Sequence, residues 1–186
     1  MIVMVDSDHA GESITRRSRK GYLIYLNGSP IYWFSKKIPS IETSTFGAEF
    51  CAMKQATEYV RGLRYKLRMM GLPCDEPTYV YGENQSELDN TSAPASQLKK
   101  KSNSISYHYL REGCAQDEWH TTYVNMHDNT ADLVTKALPS GEKRWKFVRC
   151  LLRWLRAEKW KCIMTMKSQN HLIFYIYGLG LCLFPE

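Results

Sequence analysis

At 186 residues, with 44% hydrophobic and 24% charged side chains, the chain has the make-up of one ordinary globular domain, which excludes a wholly disordered, collagenous or coiled-coil protein. Its 25 basic and 19 acidic residues leave a net charge of +6, and a pI near 9.0 favours a polyanionic partner without identifying it. Cys51, Cys74, Cys114, Cys150, Cys162 and Cys182 are scattered without a CxxC pair, so neither a zinc ribbon nor a dense disulfide framework is indicated, and a reducing, intracellular setting fits best.

The first third reads as three strands, Ile2 to Val5, Gly21 to Leu26 and Pro30 to Ser35, with Asn27-Gly28 as a hairpin turn between the last two. From Ser44 the period changes. Phe46, Phe50, Met53, Thr57, Val60, Leu63, Leu67 and Met70 recur at three- and four-residue steps up to Gly71, the pattern of a long amphipathic helix. Pro77 to Gly82 is a short β-rich run, followed by a polar loop or short helix. Ser104 to Ala115 reads as a helix, Glu118 to Val124 as a strand, Asn129 to Ala137 as a helix stopped before Pro139, and Glu142 to Leu155 as a basic amphipathic helix. This order predicts an α/β fold of the α+β mixed kind, a mixed sheet with helices on its faces.

The division expected is one domain over 1–156 and an appendage over 157–186. The apolar run Leu172 to Phe184 has 13 residues, fewer than the roughly 20 that a bilayer span requires, and Met1 is followed by no secretory leader pattern. No membrane association is therefore expected.

Acidic residues fall where elements end or border the core. Asp6 closes the first strand, Glu83 follows the fourth, Glu49 borders the apolar stripe of the long helix, and Asp132 opens a helix. Several carboxylates gathered near a core are very unfavourable unless a cation or protons neutralise them. Oxygen ligands suit Mg²⁺ and Mn²⁺, and two such ions about 4 Å apart serve in-line phosphoryl displacement. Taken singly, each residue is more often simply solvated, and sequence order alone does not bring them together.

The phrases DSDHAG (Asp6 to Gly11), GYLIYL, PIYWFSKK (Pro30 to Lys37), STFGAEF (Ser44 to Phe50), GENQS (Gly82 to Ser86), YHYLRE (Tyr107 to Glu112) and ADLVTKALP (Ala131 to Pro139) resemble, in order and spacing, the ribonuclease H domain of copia-type LTR retrotransposons. The resemblance covers roughly 1–155. It implies a five-stranded mixed sheet flanked by helices, with Asp6, Glu49, Glu83 and Asp132 holding two Mg²⁺ ions, Mn²⁺ being possible, to cut the RNA strand of an RNA–DNA hybrid. It also implies a place in a Pol polyprotein, as a C-terminal fragment with a reverse transcriptase domain as partner, and no small-molecule cofactor.

Around this quartet the same reading places Asp8 as an outer partner of Asp6, and His127 and Asn129 as aids to proton or product movement. Asn84 and Gln85 are candidate substrate contacts, and Arg16, Arg17, Arg19 and Lys20 a phosphate-binding loop without sequence readout. Trp33, Phe34, Trp119 and Tyr123 are more often core than stacking residues. Glu83 stands where the family has an aspartate, and the added methylene displaces its oxygens by roughly 1 to 1.5 Å in a site that tolerates about 0.5 Å. The alternative expectation is a catalytically impaired retrotransposon relic that keeps the fold and binds nucleic acid non-specifically. A third is an interaction module docking through its basic helix, Glu142 to Leu155.

Overall fold

A computed structural model describes residues 1–92 and 103–151. The appendage expected at 157–186, and the end of the expected basic helix, lie outside the described residues.

Ten elements follow in chain order: β1 (Ile2–Asp8), β2 (Arg19–Leu26), β3 (Ser29–Lys37), α1 (Thr45–Met69), β4 (Thr78–Gly82), α2 (Gln85–Ser92), α3 (Ser104–Ala115), β5 (Trp119–Tyr123), α4 (Asp132–Thr135) and α5 (Glu142–Leu151). The five strands form one sheet in the order β3-β2-β1-β4-β5. β1, β2 and β3 are antiparallel neighbours, whereas β1 with β4 and β4 with β5 run parallel. The expected mixed, five-stranded, helix-flanked sheet is the one observed.

β1 sits at the centre because it is apolar on both faces, with every residue from Val3 to Ser7 buried. The β2–β3 turn follows its sequence: Asn27 (φ 49°) and Gly28 (φ 76°) both take the left-handed region that a two-residue hairpin with native strand twist demands. α1 is closed at both ends by its own residues. Ser44 Oγ accepts a hydrogen bond from the Gly47 amide at 3.1 Å. At the other end Gly71 (φ 77°) donates to Arg68 O and Leu72 to Leu67 O, the paired bonds of a Schellman stop.

One face of the sheet presents Val3, Val5, Tyr22, Ile24 and Val80 to Phe50, Met53, Ala56 and Val60 of α1, and this core continues into Leu110 and Trp119. On the opposite face Met4 and Leu23 pack on Ala131, with Val134 and Leu151 at the margin. Of the four aromatic residues in question, Trp119 is fully buried and Phe34 stacks on Tyr22 at 5.0 Å, as core residues do. Trp33 and Tyr123, by contrast, are 68% and 42% exposed.

The helix expected from Asn129 to Ala137 is confined to Asp132–Thr135. Side chains on both sides of it bond elsewhere: Asn129 donates to Val5 O, and Thr135 Oγ1 reaches Asp6. Short polar side chains that bond out of the segment compete with helix continuation. Lys136 then turns extended (φ −115°, ψ 143°).

Gly113 on α3 lies against the Trp119 ring so closely that an added Cβ would stand 1.9 Å from Cζ2, while the indole Nε1 donates to Leu110 O at 3.1 Å. Gly113→Ala must therefore push the largest buried side chain off its bond or open α3. We expect it to cost about 2 kcal/mol in urea unfolding, the usual scale of overpacking, whereas Gly62→Ala, with open space at its Cβ, is expected to leave the midpoint unchanged or raise it.

Candidate active site

Three of the four predicted carboxylates meet. Asp6, Glu83 and Asp132 each offer an oxygen within 4.8 Å of the others. They come from three separate elements, and the sheet explains the first two. Parallel pairing sets Met4 opposite Tyr81, so two residues further on Asp6 and Glu83 stand level at the carboxyl ends of β1 and β4. There the connection changes from antiparallel to parallel, the kind of switch point that opens a crevice for ligands.

Asp132 is delivered from the far end of the chain. Asn129, fully buried, donates its Nδ2 to Val5 O at 2.8 Å and accepts from the Ala131 amide at 3.1 Å, which pins the turn onto β1 one residue before Asp6. Gly21, paired with Asp6 across β1 and β2, makes room for that turn, since a Cβ there would lie 2.6 Å from Thr135 Cγ2 and 2.7 Å from Val134 Cγ2. Ser35 Oγ also donates to Val134 O at 2.5 Å. Gly21 and Thr135 were not singled out as site residues from sequence. The glycine of the GY strand, directly before the apolar strand, was the available signal.

The cluster is largely buried, with Glu83 half-buried at its edge. Asp6 is 3% and Asp132 0% exposed, and Oε1 of Glu83 is buried without a hydrogen-bond partner among the described residues. Burial raises the pKa of Asp6 above the ordinary aspartate value, with Asp132 adding to it, against the opposing pull of Lys136 and the Thr135 hydroxyl. Burial likewise raises that of Glu83, and the negative charge of Asp6 pushes in the same direction.

Two lysines compensate. Lys136 Nζ lies 2.5 Å from Asp132 Oδ1 and 3.2 Å from Asp6 Oδ1, and Lys143 Nζ lies 2.5 Å from Asp132 Oδ2. Burial alone would lower the pKa of Lys136, but Asp6 first and then Asp132 outweigh it and hold it above the usual lysine value. Neither lysine was among the residues predicted for the site.

Glu49 stands in the first turns of α1, half-buried, outside the group of three whose oxygens lie within 4.8 Å. β1 runs on through Asp8, so Asp8 shares the Asp6 face, yet its carboxylate folds back over Gly11, whose Cβ would fall 1.8 Å from Oδ2. His127 is exposed on the loop before Asn129, with its carbonyl oxygen accepting from Lys146 at 3.2 Å. Asn84 Oδ1 accepts from the Ser86 amide at the start of α2, and the exposed Gln85 bonds Asp89 within α2 at 2.8 Å.

The basic loop enters at the carboxylate end of the sheet, because Asp8 pairs with Arg19 and Ser7 with Lys20. Pairing partners share a face, so Arg19 stands on the Asp6 side, where it donates to Ser35 Oγ at 3.2 Å. Lys20 stands on the α1 side, 3.6 Å from Cys51 Sγ. Arg16 and Arg17 are exposed, and Arg16 takes a left-handed backbone (φ 53°).

No protein-family model matches the chain. The retrovirus-related Pol polyprotein from transposon TNT 1-94 of Nicotiana tabacum is 30% identical over 145 residues, which cover 78% of this chain and 10% of the polyprotein. That from transposon RE2 of Arabidopsis thaliana is 27% identical over 133 residues, 72% of this chain and 9% of the polyprotein. The chain thus spans about a tenth of the length of the curated relatives it matches. Among solved structures, LC11-RNase H1 in complex with an RNA/DNA hybrid superposes with a TM-score of 0.55 at 13% identity, covering 72% of this chain and 92% of that one. A sheet ordered β3-β2-β1-β4-β5 with carboxylates gathered where β1 meets β4, together with these likenesses, makes the chain a homologue of a short segment of the retrovirus-related Pol polyproteins of copia-type transposons, built on the ribonuclease H fold.

Proposed function

We propose that the protein is a retroelement ribonuclease H, a divalent-metal-dependent endonuclease that hydrolyses the RNA strand of RNA–DNA hybrids. The observation that carries this reading is the convergence of Asp6, Glu83 and Asp132 within 4.8 Å at the switch point of the sheet. The residues fit a hard cation: the donors are all carboxylate oxygens, two of the side chains are fully or almost fully buried, and Glu83 Oε1 has no partner of its own among the described residues. Asp6, Glu83 and Asp132 would hold the metal, with Glu49 as the fourth carboxylate of the set. Bound there, two Mg²⁺ or Mn²⁺ ions would supply an activated water and charge stabilisation for an in-line displacement at phosphorus.

The remaining roles belong to the chain. Asn129 and Gly21 hold Asp132 against β1. Arg16, Arg17, Arg19 and Lys20 approach from the loop at the same end of the sheet and take the phosphates of the hybrid, which gives affinity and salt dependence without sequence readout. Asn84 and Gln85, beside Glu83, face the minor groove with its 2′-hydroxyls. Asp8 supports the site from the next inward position of β1, and His127, exposed at its rim, exchanges protons with solvent. Residues 1–156 form the ribonuclease H unit and 157–186 an appendage, working beside a reverse transcriptase domain inside the cell, in cytoplasm or nucleus. No helix among the described residues is long and apolar enough to cross a membrane.

One observation favours a second reading, a catalytically impaired relic that keeps the fold: Glu83 stands where the resemblance expects aspartate. A labelled RNA–DNA hybrid cleaved in either Mg²⁺ or Mn²⁺ supports the enzyme, and no cleavage in both metals rejects it. Glu83→Asp is expected to raise the cleavage rate at least about tenfold, since positional errors near 1 Å are costly in such sites. An inactive but folded Glu83→Asp protein would favour the relic.

The same convergence carries a stability cost. Glu83 has a folded pKa above its unfolded one, so its contribution is favourable only at low pH and is lost as pH rises through the folded value. At neutral pH the metal-free wild type carries this penalty, and Glu83→Gln removes it. We expect Glu83→Gln to raise the metal-free Tm by about 3 °C at neutral pH, an advantage that shrinks as the pH falls toward 4, followed by calorimetry across that range.

A further inference from the structure

Lys136 lies among the carboxylates. Its Nζ is shared between Asp132 Oδ1 at 2.5 Å and Asp6 Oδ1 at 3.2 Å, oxygens of the same side chains whose ligand atoms, with that of Glu83, close to within 4.8 Å. The Lys136 backbone is extended and leaves α4 at its last turn, so its flexible four-carbon stem alone carries the ammonium inward, and the side chain remains partly open to solvent along that stem. Lys143 reaches only the other oxygen of Asp132, Oδ2, from the first turn of α5.

Mg²⁺ held by Asp6, Glu83 and Asp132 would take carboxylate oxygens at about 2.0–2.1 Å. Such an ion would compete with Lys136 for the carboxylates of Asp6 and Asp132 and would lie in repulsive range of the ammonium, so each cation disfavours the other. We propose that Lys136 is a tethered counter-cation that holds the carboxylate cluster together in the metal-free protein and leaves when a divalent ion enters, so that its departure sets the apparent affinity of the site. This rests on the reading of the cluster as a metal centre. Two consequences follow from charge balance. The metal-free fold keeps Asp6 and Asp132 paired instead of exposing the chain to their full desolvation cost. Metal binding is weakened by the fraction of molecules in which Lys136 is docked. Lys136 is thereby a positioning residue, acting through Asp6 and Asp132.

The test is a calorimetric titration of Mn²⁺ into the full chain as wild type, Lys136→Met and Lys143→Met, at one ionic strength and neutral pH. Lys136→Met is expected to bind Mn²⁺ about tenfold more tightly than wild type while its metal-free Tm falls. Lys143→Met, which removes an equal charge from a lysine that pairs with Asp132 and not with Asp6, is expected to tighten binding by no more than about threefold. A second arm on the wild type labels amines with acetic anhydride and locates the product by peptide mass spectrometry: Mn²⁺ should increase acetylation at Lys136 and leave Lys143 unchanged.

Equal tightening in the two variants would mean that charge removed at a distance accounts for the effect, and overturns the exchange. So does unchanged or weaker binding in Lys136→Met, or labelling of Lys136 that Mn²⁺ leaves constant or lowers. If wild type and both variants fail to bind Mn²⁺, the metal-centre reading falls and the exchange with it. If all bind it alike, the exchange alone falls. Should Lys136→Met not fold, the labelling arm on the wild type decides.

Discussion

Asp6 is carried by the most buried strand of the sheet, and its carboxylate cannot leave the protein interior without the strand. Every neighbouring feature answers that constraint. β4 places Glu83 level with it, the turn after Asn129 lays Asp132 across it, and Lys136, Lys143 and Thr135 supply the positive charge and hydrogen bond that the three carboxylates require. Buried charge of one sign is tolerated only when it is compensated, and for Asp6 the compensating lysine, Lys136, stands 130 residues away in the chain.

The architecture around that point is arranged to be stiff. α1 is capped at both ends and buries Phe50, Met53 and Val60 on the sheet, while Arg61 is held between Tyr109 and Trp119 and bonded to Glu118 at 2.7 Å, joining α1 to α3 and β5. Arg64 adds a second tie, donating to Glu76 O and Cys74 O at 2.7 Å each and so fixing the segment that leads into β4. A cluster of like charges keeps its geometry only on a scaffold that cannot relax away from it, and these ties anchor the amino ends of β4 and β5, β4 carrying Glu83 at its other end. The stability lost at the carboxylates is of the kind that functional sites commonly carry.

The surface divides by charge in a way that suits a polyanion. Arg19 and Lys20 pair with Asp8 and Ser7 at the carboxylate end of β1, and Lys143 and Lys146 of α5 bond Asp132 and Asp128. The negative field of the acidic centre is reduced because Lys136 and Lys143 pair with Asp6 and Asp132 at short range. Basic side chains thus border the acidic site closely, and two of them enter it.

Most of the secondary structure was legible without coordinates, since it depends on local period and punctuation. Asn27-Gly28 determines a hairpin, Ser44 and Gly71 bound α1, and the apolar run of β1 marks a strand covered on both sides. The types of residue at the site were legible too, Asp6, Glu83 and Asp132 among them. Legibility ended where one side chain competes with another for the same partner. The turn around Asp132 read as a longer helix because its local pattern is helical, and it is cut short by Asn129 and Thr135 bonding to β1. Trp33 and Trp119 look alike in a strand, yet one is exposed and the other fully buried, because β3 is an edge with one uncovered face and β5 has α3 packed on it. Lys136 stands four residues after Asp132, ordinary helical spacing for an ion pair, but its reach to Asp6 and the approach of Lys143 depend on the fold. Sequence by itself determined the elements and the acidic character of the site, while the tertiary structure alone decided which charges meet, because ion pairing depends on distance in space and on burial, neither of which is a property of position along the chain.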